Sequence, residues 1–247
     1  MAKHSHDIIY GIHAVEAAVR KQPENVLQVF VQKDRNDNRI KTLLSIAKNS
    51  GISVQAISTE KLKEKCPPKS RHQGVVAEVR PDKGSAVTVE SLLQKEQLLL
   101  LVLDEVQDPH NIGACLRTAD AVGVDAVIVS KNRSPALTAV SRNVASGAAE
   151  TVPYIMVSNL AQTLQKLKDN NVWVMGAAGE ATQTIYHSKA NNRLALVMGS
   201  EGKGMRRLTT EACDELVSIP MQGTVESLNI SVATAVCLFE IRRQQSC

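Results

Sequence analysis

Short apolar runs alternate with helical stretches along most of this chain, and that alternation limits its fold more than any other feature. Beyond residue 97 the runs fall at 98–105, 126–130, 152–157, 172–176, 194–199 and 216–220. The stretches between them predict helices at 111–122, 136–146, 159–169 and 205–213. A strand followed by a helix returns the chain in the same direction, so such strands pair parallel rather than as hairpins. The expected result is a mostly parallel α/β sheet with helices on both faces. The last segment, ISVATAVCLFEI at 230–241, is apolar almost all round. A helix of that kind is expected to be buried, against its own chain or a second subunit.

Residues 8–80 repeat the pattern on a smaller scale. Helices are expected at 13–21, at 39–51 with a terminal glycine, and over TEKLKEKC, with strands at 27–33, 52–58 and 74–80. Residues 81–96 open with PDKGSA and show no strong period, which places a linker there. The expected organisation is an amino-terminal module over 1–80, a linker over 81–96 and a larger domain over 97–247. A chain of 247 residues is long enough for that.

Charge separates the same two regions. Residues 1–80 hold 14 Lys and Arg against 8 Asp and Glu, a balance of +6, whereas residues 81–247 hold 15 against 17, a balance of −2. The positive excess therefore lies in the first third, which points to a polyanion as partner. The loop CPPKSRHQG at 66–74 suits phosphate contacts, or serves as plain punctuation. Only six residues are aromatic, too few for a broad base-stacking platform. Five cysteines, odd in number and without a C-x-x-C, indicate neither a disulfide framework nor zinc, and fit a reducing cytoplasm. No apolar core follows the charged start, so no signal peptide is expected. The apolar run 98–103 is far below a membrane span. The HSH at 4–6 reads as a terminal tail rather than a metal site.

Three segments carry candidate chemistry. In DEVQDPHNIGACLRTADAVG, 104–123, a strand ends and a helix begins near Asn111, expected as its N-cap. With Ile112, Leu116 and Ala119 facing inward, Arg117 lies roughly 130° around the helix, away from the core. In VMGSEGKGM, 197–205, Gly199, Gly202 and Gly204 follow a strand, with Glu201 among them. The spacing suits neither a Walker phosphate loop nor a dinucleotide fingerprint. It remains a pocket at a strand's carboxyl end, or a tight turn. In IPMQGTVESLNISVATA, 219–235, Ser227 or Asn229 leads into the apolar helix, as its cap or beside a ligand.

Together these segments resemble the SpoU-type (TrmH) RNA 2′-O-ribose methyltransferases. The resemblance runs through N-x-G-x-x-x-R-T-A at 111–119, G-S-E-G-x-G at 199–204 and S-L-N-x-S-x-A-x-A at 227–235. YGIHAVEAAV near the start and HQGVVAEV at 72–79 extend it to the 23S rRNA guanosine-2′-O-methyltransferase subgroup.

The resemblance implies a SPOUT-type parallel sheet with a carboxyl-terminal trefoil knot, behind a small L30e/L7Ae-like α/β domain that binds RNA. It implies a cytoplasmic homodimer whose subunits complete each other's sites. The substrate is 23S rRNA, not DNA and not a membrane, and the methyl donor is S-adenosylmethionine, with no metal. A tRNA guanosine-2′-O-methyltransferase and a non-catalytic ribosome-assembly protein are the alternatives on this fold. Gly199, Gly202, Ile219 and Leu228 are expected to hold the cofactor, the glycines because side chains would strike it or the knotted chain. Arg117 is expected at the centre of catalysis, with Glu201 orienting it or anchoring the loop. Asn111, Ser227 and Asn229 are expected to hold the 2′-oxygen. Arginine stays protonated at neutral pH, which favours phosphate binding and alkoxide stabilisation over direct proton removal.

Overall fold

The computed structural model describes residues 6–33, 35, 37–68, 70, 72–80 and 87–246. His4 and Ser5 of the HSH, residues 69 and 71 of the basic loop, and residues 81–86 of the expected linker lie outside them. The chain forms two compact units, Met1–Lys83 with Leu137–Thr151, and Gly84–Ala136 with Val152–Cys247.

Along the chain run β1 (Asp7–Tyr10), α1 (Ile12–Lys21), β2 (Val26–Gln32), α2 (Asn38–Asn49), β3 (Ser53–Ile57), α3 (Thr59–Lys65) and β4 (Val75–Val79). There follow α4 (Val89–Leu92), β5 (Leu98–Leu103), α5 (Pro109–Val122), β6 (Ala126–Ser130), α6 (Ala139–Val144) and β7 (Tyr154–Val157). The last elements are α7 (Leu160–Asp169), β8 (Trp173–Ala177), β9 (Arg193–Met198), α8 (Arg207–Glu211), β10 (Glu215–Val217) and α9 (Ile230–Gln245).

The first unit is a four-stranded mixed sheet in the order β1-β4-β2-β3. β4 runs antiparallel to both its neighbours, and β2 runs parallel to β3. Ile12, Val15 and Val19 of α1 and Ile40, Leu43 and Ala47 of α2 share a core with alternate residues of the strands. β1 is too short for periodicity to reveal. The predicted helix at 136–146 forms as α6 but belongs to this unit. Ala139 packs against the Tyr10–Phe30–Leu62 cluster, and a Cβ on Gly147 would meet Ala17 Cβ at 2.8 Å.

The second unit is a six-stranded sheet in the order β10-β8-β9-β5-β6-β7, and every pairing is parallel. β5 is central, and all six of its residues are buried, as its unbroken LLLLVL run requires of a strand covered on both faces. Leu98, Leu100 and Val102 pack on one face with Leu160, Leu164 and Leu167 of α7. Val89 and Leu92 join that core, so the end of the expected linker is packed structure. A Thr88–Ser91 capping box starts its one-turn helix. Four of the sheet's carboxyl-end loops, after β5, β8, β9 and β10, build the site.

Candidate functional site

The helix carrying Asn111 and Arg117 starts earlier than the sequence indicates. Asp108, not Asn111, is its N-cap: Asp108 Oδ1 accepts from His110 N at 2.9 Å. Pro109 then takes the first helical position, where its missing N–H has no partner to lose. Asn111 is thereby released from capping. Ile112, Leu116 and Ala119 are buried as expected, and Arg117 is exposed.

α9 lies alongside α5 in the same direction. Cys115 Sγ meets Thr234 Oγ1 at 3.6 Å, and Arg242 donates to the carbonyls of Val122 and Gly123 at 3.0 and 2.8 Å. The two amino-terminal ends therefore meet, and there the structure joins three of the predicted site residues. Asn229 caps α9, its Oδ1 accepting from Ser231 N at 2.9 Å and Ser231 Oγ at 2.6 Å. A backbone N–H only donates, so the amide's orientation is fixed and Nδ2 faces the other way. Nδ2 donates to Asn111 Oδ1 at 3.1 Å and to Glu201 Oε2 at 3.3 Å. With its oxygen taken, Asn111 keeps an amide NH2 to offer a ligand.

Beside this triad is a cleft of about 480 Å³. Gly199, Gly202, Glu201, Ile219, Ser227 and Leu228 all line it. Met198, Met205 and Met221, from the segments quoted above, line it as well, whereas residues 177–180 at the end of β8 were missed by sequence reasoning, since no motif marks them. The two glycines are required for different reasons. A Cβ on Gly199 would lie 2.1 Å from the Gly204 carbonyl carbon and 2.2 Å from Met205 N, so it would strike its own loop. The loop doubles back through reciprocal Ser200–Gly204 backbone hydrogen bonds of 3.0 and 2.9 Å. Gly202 has open space around its Cβ position but sits at φ +80°, where a side chain is strained.

Arg117 is not a wall of the cleft and has no hydrogen-bond or ion-pair partner among the described residues. It is six residues beyond Asn111, about 9 Å along the helix axis. One chain alone thus ties Asn111 and Asn229 to Glu201, which lines the cleft with Ser227, and leaves the Arg117 guanidinium out of that network. Burial pushes the thiols of Cys115, Cys213 and Cys237 up to about 11, 12 and 12. None of the three lines the cleft.

The cleft's size suits a nucleoside-sized ligand. Apolar Met198, Ile219, Met221 and Leu228 line it together with the carboxylates of Glu180, Glu201 and Glu226, a setting that favours a cationic group. Residues 98–239 match the SpoU rRNA methylase family. The chain belongs to that family. Residues 8–84 match its RNA 2′-O ribose methyltransferase substrate-binding domain. The chain is 56% identical over 240 residues to the 23S rRNA (guanosine-2′-O-)-methyltransferase RlmB of Haemophilus influenzae, covering 96% of this chain and 97% of that protein. Its fold matches an RNA 2′-O ribose methyltransferase crystal structure at TM-score 0.85, with 23% identity and coverage of 99% and 90%. It also matches the AdoMet complex of the SpoU methyltransferase AviRb from Streptomyces viridochromogenes at TM-score 0.80, with 22% identity and coverage of 98% and 91%.

Proposed function

We propose that this protein methylates the ribose 2′-hydroxyl of a guanosine in 23S rRNA. One observation carries the reading most: Asn229 hydrogen-bonds both Asn111, 118 residues away, and Glu201, a wall of the glycine-lined cleft. Likeness to RlmB over nearly the whole chain supports the substrate.

When bound in the cleft, S-adenosylmethionine supplies a methyl group already activated by its sulfonium. The protein's share is positioning and proton management. Gly199, Gly202, Ile219 and Leu228 hold the cofactor, chiefly through main chain and apolar contact. Asn111 donates its free amide hydrogens to the ribose oxygen, and Ser227 adds a hydroxyl at the cleft wall. Glu201 accepts from Asn229, which keeps the glycine loop against both helix starts. Arg117 binds the target phosphate and stabilises the developing alkoxide while the hydroxyl proton passes to solvent water. Orientation of this kind is worth several kcal/mol of barrier.

Arg117 needs a second subunit to reach the cleft, so the active form is a homodimer. Val232 and Phe239, 49% and 56% exposed and seven residues apart on one face of α9, give it an apolar contact surface. We assign residues 97–247, apart from the 137–151 segment that packs with the first unit, to a trefoil-knotted catalytic domain. The return of 219–228 to the wall formed by 198–205 supports the knot. Residues 1–80 form an L30e/L7Ae-like domain that attracts rRNA phosphates, and the cytoplasm is the site of action. Among the described residues no helix is long and apolar enough to cross a membrane.

Parallel assays with labelled S-adenosylmethionine on unmodified 23S rRNA and on unmodified tRNA test the substrate. Label in 23S rRNA alone is expected; label confined to tRNA would overturn the assignment.

A further inference from the structure

We propose that Asp104 is a positioning residue for cofactor binding, clamping both stems of the 199–204 loop; the inference rests on the reading of that loop as the cofactor's wall. Asp104 directly follows β5 and is fully buried. Its main-chain N–H donates to the carbonyl of Met198, the residue before Gly199, at 2.8 Å. Its carboxylate grips the far stem: Oδ2 accepts from Arg206 N at 2.9 Å, and Oδ1 from Arg206 Nε at 2.8 Å and Nη2 at 2.7 Å. One residue thus fixes where the loop leaves β9 and where it enters α8.

Outside its two stems the loop is held, among the described residues, by a side-chain contact of 3.3 Å from Asn229 Nδ2 to Glu201 Oε2. Residues 201–204 are exposed, and the Ser200–Gly204 pair closes the loop only on itself. Sheet pairing accounts for the Met198 contact but makes no demand on Arg206, so the carboxylate is an addition to the fold's requirements. A second carboxylate reinforces it. Glu105 adopts φ +61°, a left-handed conformation costly for a side chain, and there pairs with Arg133 and stands 3.7 Å from Arg206 Nε. Asp108, four residues beyond Asp104, caps the helix that carries Asn111. The same short segment therefore sets the loop bearing Glu201 and the helix start that meets it. An asparagine at 104 matches the shape but removes the charge and turns an NH2 toward Arg206 donors.

Calorimetric titration of S-adenosylmethionine into the full chain tests this. Asp104→Asn and Arg206→Gln should each raise Kd at least tenfold, and the double variant should be no worse than either alone, because both remove one clamp. Arg206→Lys, which keeps the charge but not the fork, should fall between. Glu150→Gln breaks the buried Arg142–Glu150 pair of the other unit, and should lower stability while leaving Kd unchanged. Folded Asp104→Asn and Arg206→Gln proteins with Kd within twofold of the parent would reduce Asp104 to a structural role. If Asp104→Asn does not fold, the two Arg206 variants decide by the same criterion, since that side chain is a third exposed. A parent protein that takes up no S-adenosylmethionine would instead sink the functional reading.

Discussion

The two sheets of this chain differ in one property that decides where chemistry can sit. All six strands of the second sheet run parallel, so their carboxyl ends share one edge, and loops distant in sequence converge there. In the first sheet β4 runs against β1 and β2, so neighbouring loops leave from opposite edges. Its unit carries the chain's positive excess, 14 Lys and Arg against 8 Asp and Glu over residues 1–80. A parallel sheet concentrates groups; a mixed one of this size presents them. The comparison predicts that substitutions in the second unit change turnover or cofactor affinity, and those in the first change RNA affinity and its salt dependence.

The largest effect belongs to Arg117→Ala. Turnover should fall by ~10³-fold or more, while cofactor affinity by calorimetry stays as in the parent. Near-normal turnover would remove Arg117 from the mechanism. Gly199→Ala comes next, because the new Cβ meets backbone at 2.1 Å. Overpacking of that order costs about 1–3 kcal/mol, so cofactor Kd should rise about 10–100-fold with RNA binding intact.

Asn229→Ala removes the hydrogen bonds to Asn111 and Glu201 together, and kcat/KM should drop about 10–100-fold. Mixing Arg117→Ala with Asn229→Ala subunits should restore part of the activity, since each mixed dimer holds one cleft with every group present. Absence of any recovery would place Arg117 in the same subunit as its cleft.

Smaller effects are expected in the first unit. Lys61→Ala with Lys63→Ala should raise the KM for rRNA a few-fold and lower the slope of log affinity against log salt by about one per lost phosphate contact, at constant cofactor Kd. A matching change in cofactor Kd would dissolve the division between units. The smallest concerns His72. Burial, with Lys63 and Arg35 nearby, holds its imidazole below the ordinary value, and Nδ1 accepts from Gly74 N at 3.1 Å. The neutral form is native, so this group's contribution to stability is present above the unfolded value and is lost as pH falls toward the folded one. Lys63→Ala should shift the His72 titration, followed by NMR, upward.

Much of this was legible in the sequence because burial on both faces leaves continuous apolar runs. The strand LLLLVL is unmistakable, and every later strand was found within two or three residues. β1 escaped because four residues carry no period, and α4 because one turn shows none. The helix at 139–144 was visible, but which core it joins depends on contacts with Tyr10 and Ala17, far away in sequence. In the site, the motifs marked Asn111, Glu201 and Asn229 as polar groups at element ends. That one amide joins the other two is a product of topology. The cap was placed at Asn111 rather than Asp108, though proline at the first helical position is itself a start signal. Asp104 had a signal too, a carboxylate closing a wholly apolar strand, but its partner lies 102 residues on.

The most direct measurement is the fate of label from S-adenosylmethionine in 23S rRNA after alkaline hydrolysis, for the parent and for Arg117→Ala. Alkaline cleavage needs a free 2′-hydroxyl, so a methylated ribose survives inside an alkali-stable dinucleotide. The parent should place its label in one such dinucleotide headed by guanosine, and the variant should place none while still binding cofactor. Label released in a mononucleotide, which signifies a methylated base, or undiminished label with Arg117→Ala, would contradict the account.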